Sequence, residues 1–495
     1  MASTVVEEVS ELIQAEISPG LQESLPATDG IFEQIRASSM GVNRGKGVGR
    51  DYKVLHNFSA SLAGAFKFVS SPFGSATLET VLPAHVLSTL SAFQGSGEAT
   101  SMGTVQRTLS LVQGNGNFFL PVQLFQVDQL DATTVKYVAE NIKAVAKLVA
   151  HLNAVSFYAV PVLGTQKPLA VIPASGATIT GGSDGDGYVI IEFGSSWTNG
   201  RIRNFYPGMF VDFLTDDGNA YTSLVDSSAY MVVTEVDYLN KIITVKSTAS
   251  TTNDFTADVL AGDMIIPKDC GATTVGYGPS GIESWTKAAD SGGSADVEVF
   301  GVKVSGATAT EVEYPQFGSL VAAVSGSLTE SVLNKYVGSF MDAYGKKLDT
   351  FITTGGVVRE MLDQVEDLGV FQRQGAALNM ENGWTDIGYQ YNGQKFKWLL
   401  STYCSPGYLY GLKTGEGNLT RYIPPNVSGM GTHDAFGGDV QFISKWAGST
   451  GIFKPLHNDS GNTTEVLEAP FMTLHEIAPT DVQGIKLTGL TELNA

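Results

Sequence analysis

The sequence predicts an α+β chain in which one long helix and an extended hairpin carry an inserted small β-barrel or sandwich. Three observations predict it. Residues 131–159, DATTVKYVAENIKAVAKLVAHLNAVSFYA, place Val135, Val138, Ile142, Val145, Val149, Leu152 and Val155 at spacings of three and four, the period of one helix face. Residues 181–268 alternate β-rich runs (YVIIEF, MFVDFL, YMVVTEV, KIITVKS, DMIIP) with the turn sequences SDGDG, DDGN and LN, the spacing of a small all-β unit. The composition joins 56 glycines and 43% apolar residues to only 16% charged ones. Soluble domains carry about 25% charged residues, so the chain reads as turn-rich, with much surface hidden in a core or against partners.

Taken in order, residues 1–40 are expected to form an N-terminal helical arm. Thr4 and Glu7 have capping-box spacing, Val5, Val9, Leu12, Ile13 and Ile17 share a face, and Ser18-Pro19-Gly20 stops the helix. Acidic Glu7, Glu8 and Glu11 with no early Lys or Arg do not read as a secretory signal. Residues 41–130 are expected to be an extended arm and a hairpin. Their start, GVNRGKGVGRDYKVLHNF, is not a phosphate-binding loop: Gly41 to Gly45 is one residue short, and Gly47 stands where a hydroxyl must bind magnesium. Glycines loosen this stretch, and Arg44, Lys46, Arg50 and Lys53 equip it to pair with acids of another molecule. In TVQRTLSLVQGNGNFFLPVQLFQV, alternating positions flank GNGN and predict a hairpin turning there, with Pro121 confining the returning strand to an edge.

Residues 131–180 hold the long helix, whose roughly 28 residues would span ~42 Å, against a mean of about 12 residues per globular helix. The β-rich insert occupies 181–268. Residues 269–383 begin as a Gly/Ser-rich return and become helical: Leu333, Tyr336, Val337, Phe340, Tyr344, Leu348 and Phe351 predict one apolar stripe, broken at TTGG and resumed in VVREMLDQVED. Residues 384–495 return to strands such as FKWLL and GYLYGLK.

The search for chemistry yields little. The six histidines (His56, His85, His151, His433, His457 and His475) never fall within four residues of each other, and Cys270 and Cys404 stand alone, so neither a metal site nor a disulfide framework is expected. His151, inside the long helix, reads as a packed structural residue. His433-Asp434 sits in a Gly-rich stretch without a GxSxG or reactive-Cys context. Asp184 and Asp186 run directly into Gly187, the wrong spacing for a calcium loop and a good one for a hairpin turn. Asp216-Asp217 and five tryptophans leave open a glycan-acting β-rich hydrolase or another β-rich binding module as the alternative function. No catalytic, cofactor-binding or metal residue is assigned. The net charge of −20, from 50 acids against 30 bases, disfavours nucleic-acid gripping, and no run of 18 apolar residues suits a membrane span.

The passage LSLVQGNGNFFLPVQLFQVDQLDATTVKYVAENIKAVAKLVAHLNAVSFYA resembles the extended loop and spine helix of tailed-phage major capsid proteins, the HK97-type fold. NFYPGMFVDFL, YMVVTEVDYLNKIITV and LAGDMIIP are similar to the β module that some members insert, and GYLYGLK and APFMTLHEIAPTDVQGIKLTGL look like their late strands. The resemblance covers most of residues 41–490. It implies peripheral and axial domains, with 269–383 axial in type and 384–495 supplying return strands to both. It also implies a non-enzymatic virion subunit without cofactors. Copies would self-assemble into hexamers and pentamers of an icosahedral shell, built in the host cytoplasm around double-stranded DNA that they do not read. Scaffold, portal and decoration proteins are the implied partners. Arg44, Lys46, Arg50 and Lys53 then become candidate inter-subunit contacts.

Overall fold

The structure is a computed structural model. It describes residues 36–39, 51–57, 104–110, 112–121, 151–159, 168–173, 176–181, 187–194, 202–216, 221–223, 231–247, 259–268, 281–288, 297–300, 302–305, 317–367, 389–415, 419–423, 432–433, 441–443, 454–457, 463–479 and 481–493.

The first strands are β1 (Arg36–Ser39), β2 (Asp51–Asn57), β3 (Thr104–Ser110) and β4 (Val112–Pro121). Helix α1 is the stretch 151–158; the rest of the expected long helix lies outside the described residues, as does the expected helical arm up to residue 35, whereas 36–39 form a strand and not helix because they pair in parallel with residues 420–423. The next strands are β5 (Ala170–Val171), β6 (Thr178–Gly181), β7 (Tyr188–Glu192), β8 (Phe210–Asp216), β9 (Tyr221–Ser223), β10 (Met231–Asp237), β11 (Ile242–Ser247) and β12 (Met264–Pro267). Then come α2 (Ile282–Trp285), β13 (Val297–Val299), β14 (Val302–Ser305), β15 (Leu320–Gly326), α3 (Glu330–Tyr344), β16 (Thr350–Thr353) and α4 (Gly355–Asp367). Strands β17 (Tyr389–Tyr391), β18 (Gln394–Leu400) and β19 (Leu409–Leu412) follow. The last are β20 (Leu419–Ile423), β21 (Thr432–His433), β22 (Gln441–Ile443), β23 (Lys454–His457), β24 (Thr463–Pro479) and β25 (Ile485–Leu490).

Residues 170–267 build an eight-stranded sheet in the order β5-β12-β8-β10-β11-β7-β6, with β9 beside β8. Alternation sorts its side chains: Val189, Ile191, Val211, Phe213, Met231, Val233, Ile243 and Val245 face one buried core, the outcome expected of a period-two pattern. The three turn sequences each fall in an antiparallel hairpin. Gly181 pairs with Val189 around SDGDG, and Asp216 pairs with Tyr221 around DDGN. Asp237 accepts from the Leu239 and Asn240 N–H groups, both at 3.0 Å, in the β10–β11 turn. Strands β5 and β6 end the path without a ladder between them among the described residues, so the sheet is a curled half-barrel. Its inner face closes on α1 and on Ile202, Phe205 and Met209. It also starts earlier than its β-rich run, because β5 and β6 lie before residue 182.

The second large sheet is mixed, in the order β15-β25-β19-β16-β18-β17. β25 runs parallel to β15, and β16 parallel to β18; the other neighbours are antiparallel. Helix α3 lays Leu333, Val337 and Phe340 on it. The helix begins at Thr329, whose side chain accepts from the Val332 N–H at 3.2 Å, and ends where Gly345 turns left-handed (φ 64°) and donates to the Met341 carbonyl at 2.8 Å. That stop corrects the expected stripe. Leu348 lies beyond the helix and Phe351 sits on β16, stacked on Phe396 at 4.7 Å. The spacing of four from Tyr344 to Leu348 carried the pattern past Gly345, but a left-handed glycine ends a helix whatever the apolar period does.

The third sheet is organised by β24. β4 lies along it for ten residue pairs, from Val466↔Pro121 to His475↔Val112, while β23 and β22 pair with overlapping stretches and so take its other edge. This overturns the hairpin expected at GNGN. Gly114, Asn115, Gly116 and Asn117 are strand residues opposite Thr473, Met472, Phe471 and Pro470. β3 pairs instead with β2, in register from Asp51↔Ser110 to Asn57↔Thr104. A turn signal loses to a long neighbouring strand that offers every backbone group a partner. Within this sheet β4 pairs only with β24, which suits a strand ending in Pro121.

Candidate assembly surface and internal polar sites

The residues singled out for inter-subunit contact fall on the arm. Lys53 lies within β2, opposite Thr108 of β3; Arg44, Lys46 and Arg50 lie outside the described residues. The β2–β3 ladder is a sheet of two strands on its own, and β3 passes through one residue into β4 on the third sheet. The arm is therefore rooted on β24 while its two strands remain a separate ribbon.

Among the described residues no group of three His, Cys, Asp or Glu side chains is placed to hold a metal ion. His433 is in β21, opposite Phe442, and Asp216 ends β8; Asp184, Asp186, Asp217, Asp434 and Cys270 lie outside the described residues. Cys404 is buried. No described helix is long and apolar enough to cross a membrane.

His151 is a joint. Its Nε2 lies 3.1 Å from the Asn204 carbonyl and its Nδ1 lies 3.1 Å from the Tyr403 hydroxyl. A carbonyl only accepts, so Nε2 carries the proton and Nδ1 accepts from Tyr403. Burial pushes the imidazole below its ordinary pKa, with the Asn204 bond opposing. Beside it is a cavity of about 60 Å³ lined by Val155, Tyr158, Leu169, Asn204, Tyr403 and Ser405. Ligand pockets run to roughly 300–1,000 Å³, so this space suits a few waters.

The polar cluster that the sequence did not reveal surrounds Glu283 of α2, which is 5% exposed. Its carboxylate accepts from the Tyr410 hydroxyl of β19 and pairs with the Lys486 ammonium of β25. That ammonium also lies 5.3 Å from the centre of the Tyr408 ring. Burial, then the charge of Glu283, pushes the Tyr410 phenol far up. Desolvation pulls Lys287 down, against the attraction of Glu298 and Glu283. The arrangement ties α2 to the adjacent strands β19 and β25 of the mixed sheet. Its partners are 127 and 203 residues from Glu283, so no local pattern announces it. A second clasp is Asp349, whose carboxylate accepts from the Thr414 N–H at 2.7 Å and the Gly415 N–H at 2.7 Å.

No family model matches the chain, and no curated protein does. Among solved structures, the chain is similar to the capsid asymmetric unit of cyanophage A-1(L), at 8% identity and a TM-score of 0.40 over 95% of this chain and 93% of that one. It is similar to the satellite phage P4 procapsid including the size determination (Sid) protein, at 7% identity and a TM-score of 0.35 over 97% and 92%. A third is the cyanophage Pam1 capsid asymmetric unit, at 8% identity and a TM-score of 0.31 over 95% and 93%. These structural neighbours are phage capsids.

Proposed function

We propose that the chain is the major capsid protein of a tailed phage, a structural subunit that self-assembles into hexamers and pentamers of an icosahedral shell enclosing double-stranded DNA. The observation that carries this reading is the β2–β3 ribbon. A two-stranded ladder is marginal in water on its own, and among the described residues this one joins no larger sheet. A neighbouring copy that receives the ribbon gives it a further element to pack on, and a head-to-tail contact whose rotation closes makes a ring. The peripheral-type and axial-type domains are assigned to the residue ranges given by the sequence. Arg44, Lys46, Arg50 and Lys53 are assigned to the contact with the receiving copy. The net charge of −20 fits a container that holds DNA without gripping it. The buried ionic and hydrogen-bonded groups are spent on joining elements, which fits a chain that makes no bonds.

Electron microscopy and analytical sedimentation of the purified full-length chain test the proposal. Megadalton rings or shells are expected, and a Lys53→Glu variant should shift material toward smaller species. A compact monomer persisting at high protein concentration would overturn the reading.

A further inference from the structure

The mixed sheet is closed by its last strand in the chain. β16, β18 and β17 pair among themselves and with β19, all within residues 350–412, but among the described residues β15 is joined to them only through β25. Between β19 and β25 the chain builds the strands from Leu419 to Pro479. β25 then lies between two elements that precede it in the chain, pairing Leu320↔Ile485 and Ala322↔Leu487 on one side and Tyr410↔Lys486 and Leu409↔Leu487 on the other. Ile485 and Leu487 are each 1% exposed.

Its seating is fastened at both ends. At the entry, Gly484 passes so close to β19 that a Cβ would stand 2.8 Å from the Gly411 carbonyl oxygen and 2.8 Å from Leu412 Cδ2. At the exit, Gly407 (φ +68°) would put a Cβ 2.8 Å from the Leu490 carbonyl oxygen. Beyond β25, Thr491 donates to Gly326 at 3.0 Å and Leu493 to Gly356 at 3.1 Å. The Glu492 carboxylate accepts from the Gly407 N–H at 2.9 Å and from the Thr354 hydroxyl. One segment thus touches β15, β19 and the start of α4. On its other side it continues from β24, the strand on which β4 and the arm are rooted.

We propose that residues 484–492 are a closing strap. Seated last, they complete the mixed sheet and, through β24, fix the arm in the position that self-association uses. The second half of this statement rests on the shell reading; the first does not.

Hydrogen exchange followed by mass spectrometry on the full-length chain, with sedimentation alongside, tests both halves. Gly484→Val, which blocks the close pass over β19, should speed exchange of 320–326 and 485–490 by at least about tenfold. Residues 350–353, 394–400 and the 170–267 sheet should keep wild-type protection, while large particles are lost. Wild-type protection at 320–326 in this variant, or loss of protection throughout 170–267 as well, overturns the strap. Glu492→Gln keeps the shape and weakens the clasp, so exchange of 485–490 should rise about tenfold; no change there overturns the fastening at the exit. If the wild-type chain forms no large particles, the shell reading falls while the exchange pattern still judges the strap.

Discussion

The curled 170–267 sheet and the mixed 320–490 sheet solve the same burial problem in opposite ways. The first is assembled within residues 170–267, from three hairpins between sequence neighbours (β6–β7, β8–β9 and β10–β11) joined by longer pairings such as β7–β11 and β5–β12. The second is assembled from strands separated by helices and by the entire 419–479 region, and it encloses the Glu283–Lys486 pair near its centre. Loop closure must precede any reward from a distant contact. A sheet whose strands all come from one continuous stretch has less closure to offset before apolar alternation can specify it. A sheet closed from afar gains from directional contacts that reject wrong partners, and a buried carboxylate tolerates only a partner that satisfies it.

Breaking that comparison is most direct at Glu283. Glu283→Ala leaves the Lys486 ammonium and the Tyr410 hydroxyl facing apolar neighbours and should cost roughly 3–5 kcal/mol. Denaturant-dependent hydrogen exchange should show the mixed sheet opening first, with 170–267 still protected; a single shared midpoint would erase the distinction. Next, Ile243→Ala removes a fully buried side chain from the curled sheet and should cost roughly 3 kcal/mol. Here the order of opening should reverse. Thr329→Ala removes the cap of α3 and should cost about 1 kcal/mol, read as a lower urea midpoint for the mixed sheet.

The smallest expected effect sharpens the comparison at the joint between the two sheets. His151 bonds Asn204, beside the curled sheet's core, and Tyr403, which packs against both the curled-sheet core and the cluster holding Tyr410. Its folded pKa is lowered by burial, so below its ordinary value of ~6.5 the unfolded chain binds more protons than the folded one. Stability should therefore fall as pH drops through that range and recover above it. His151→Gln should flatten the slope of the melting temperature between pH 7.5 and 5.5; an unchanged slope would mean that His151 is not the titrating group.

How much of this was legible in the sequence follows the same division. The strands at YVIIEF, MFVDFL, YMVVTEV and KIITVKS, their turns, and the start of α3 are set by neighbours a few residues away, and local patterns report them. The structural role of His151 was legible too, from its place on an apolar helix. GNGN misled because its turn propensity is a local quantity, whereas β4 is held in strand form by ten pairs with β24, more than 340 residues later. The stripe through Leu348 and Phe351 misled because both bury in the same core as Leu333, Val337 and Phe340 although they lie beyond the glycine stop. Lys53 was picked for its charge in a Gly-rich arm, and its pairing with Thr108 became visible only with β3 in place.

Residue chemistry over a few positions was enough to set the mixed helix-and-sheet class and the three hairpins of the curled sheet. Tertiary structure alone decided that β3 joins β2, that β4 lies on β24, that β25 divides β15 from β19, and that Glu283 meets Tyr410 and Lys486. Each of those choices sets one distant segment against another that competes for the same backbone groups, and the outcome rests on which pairing buries more surface while leaving no polar group unsatisfied.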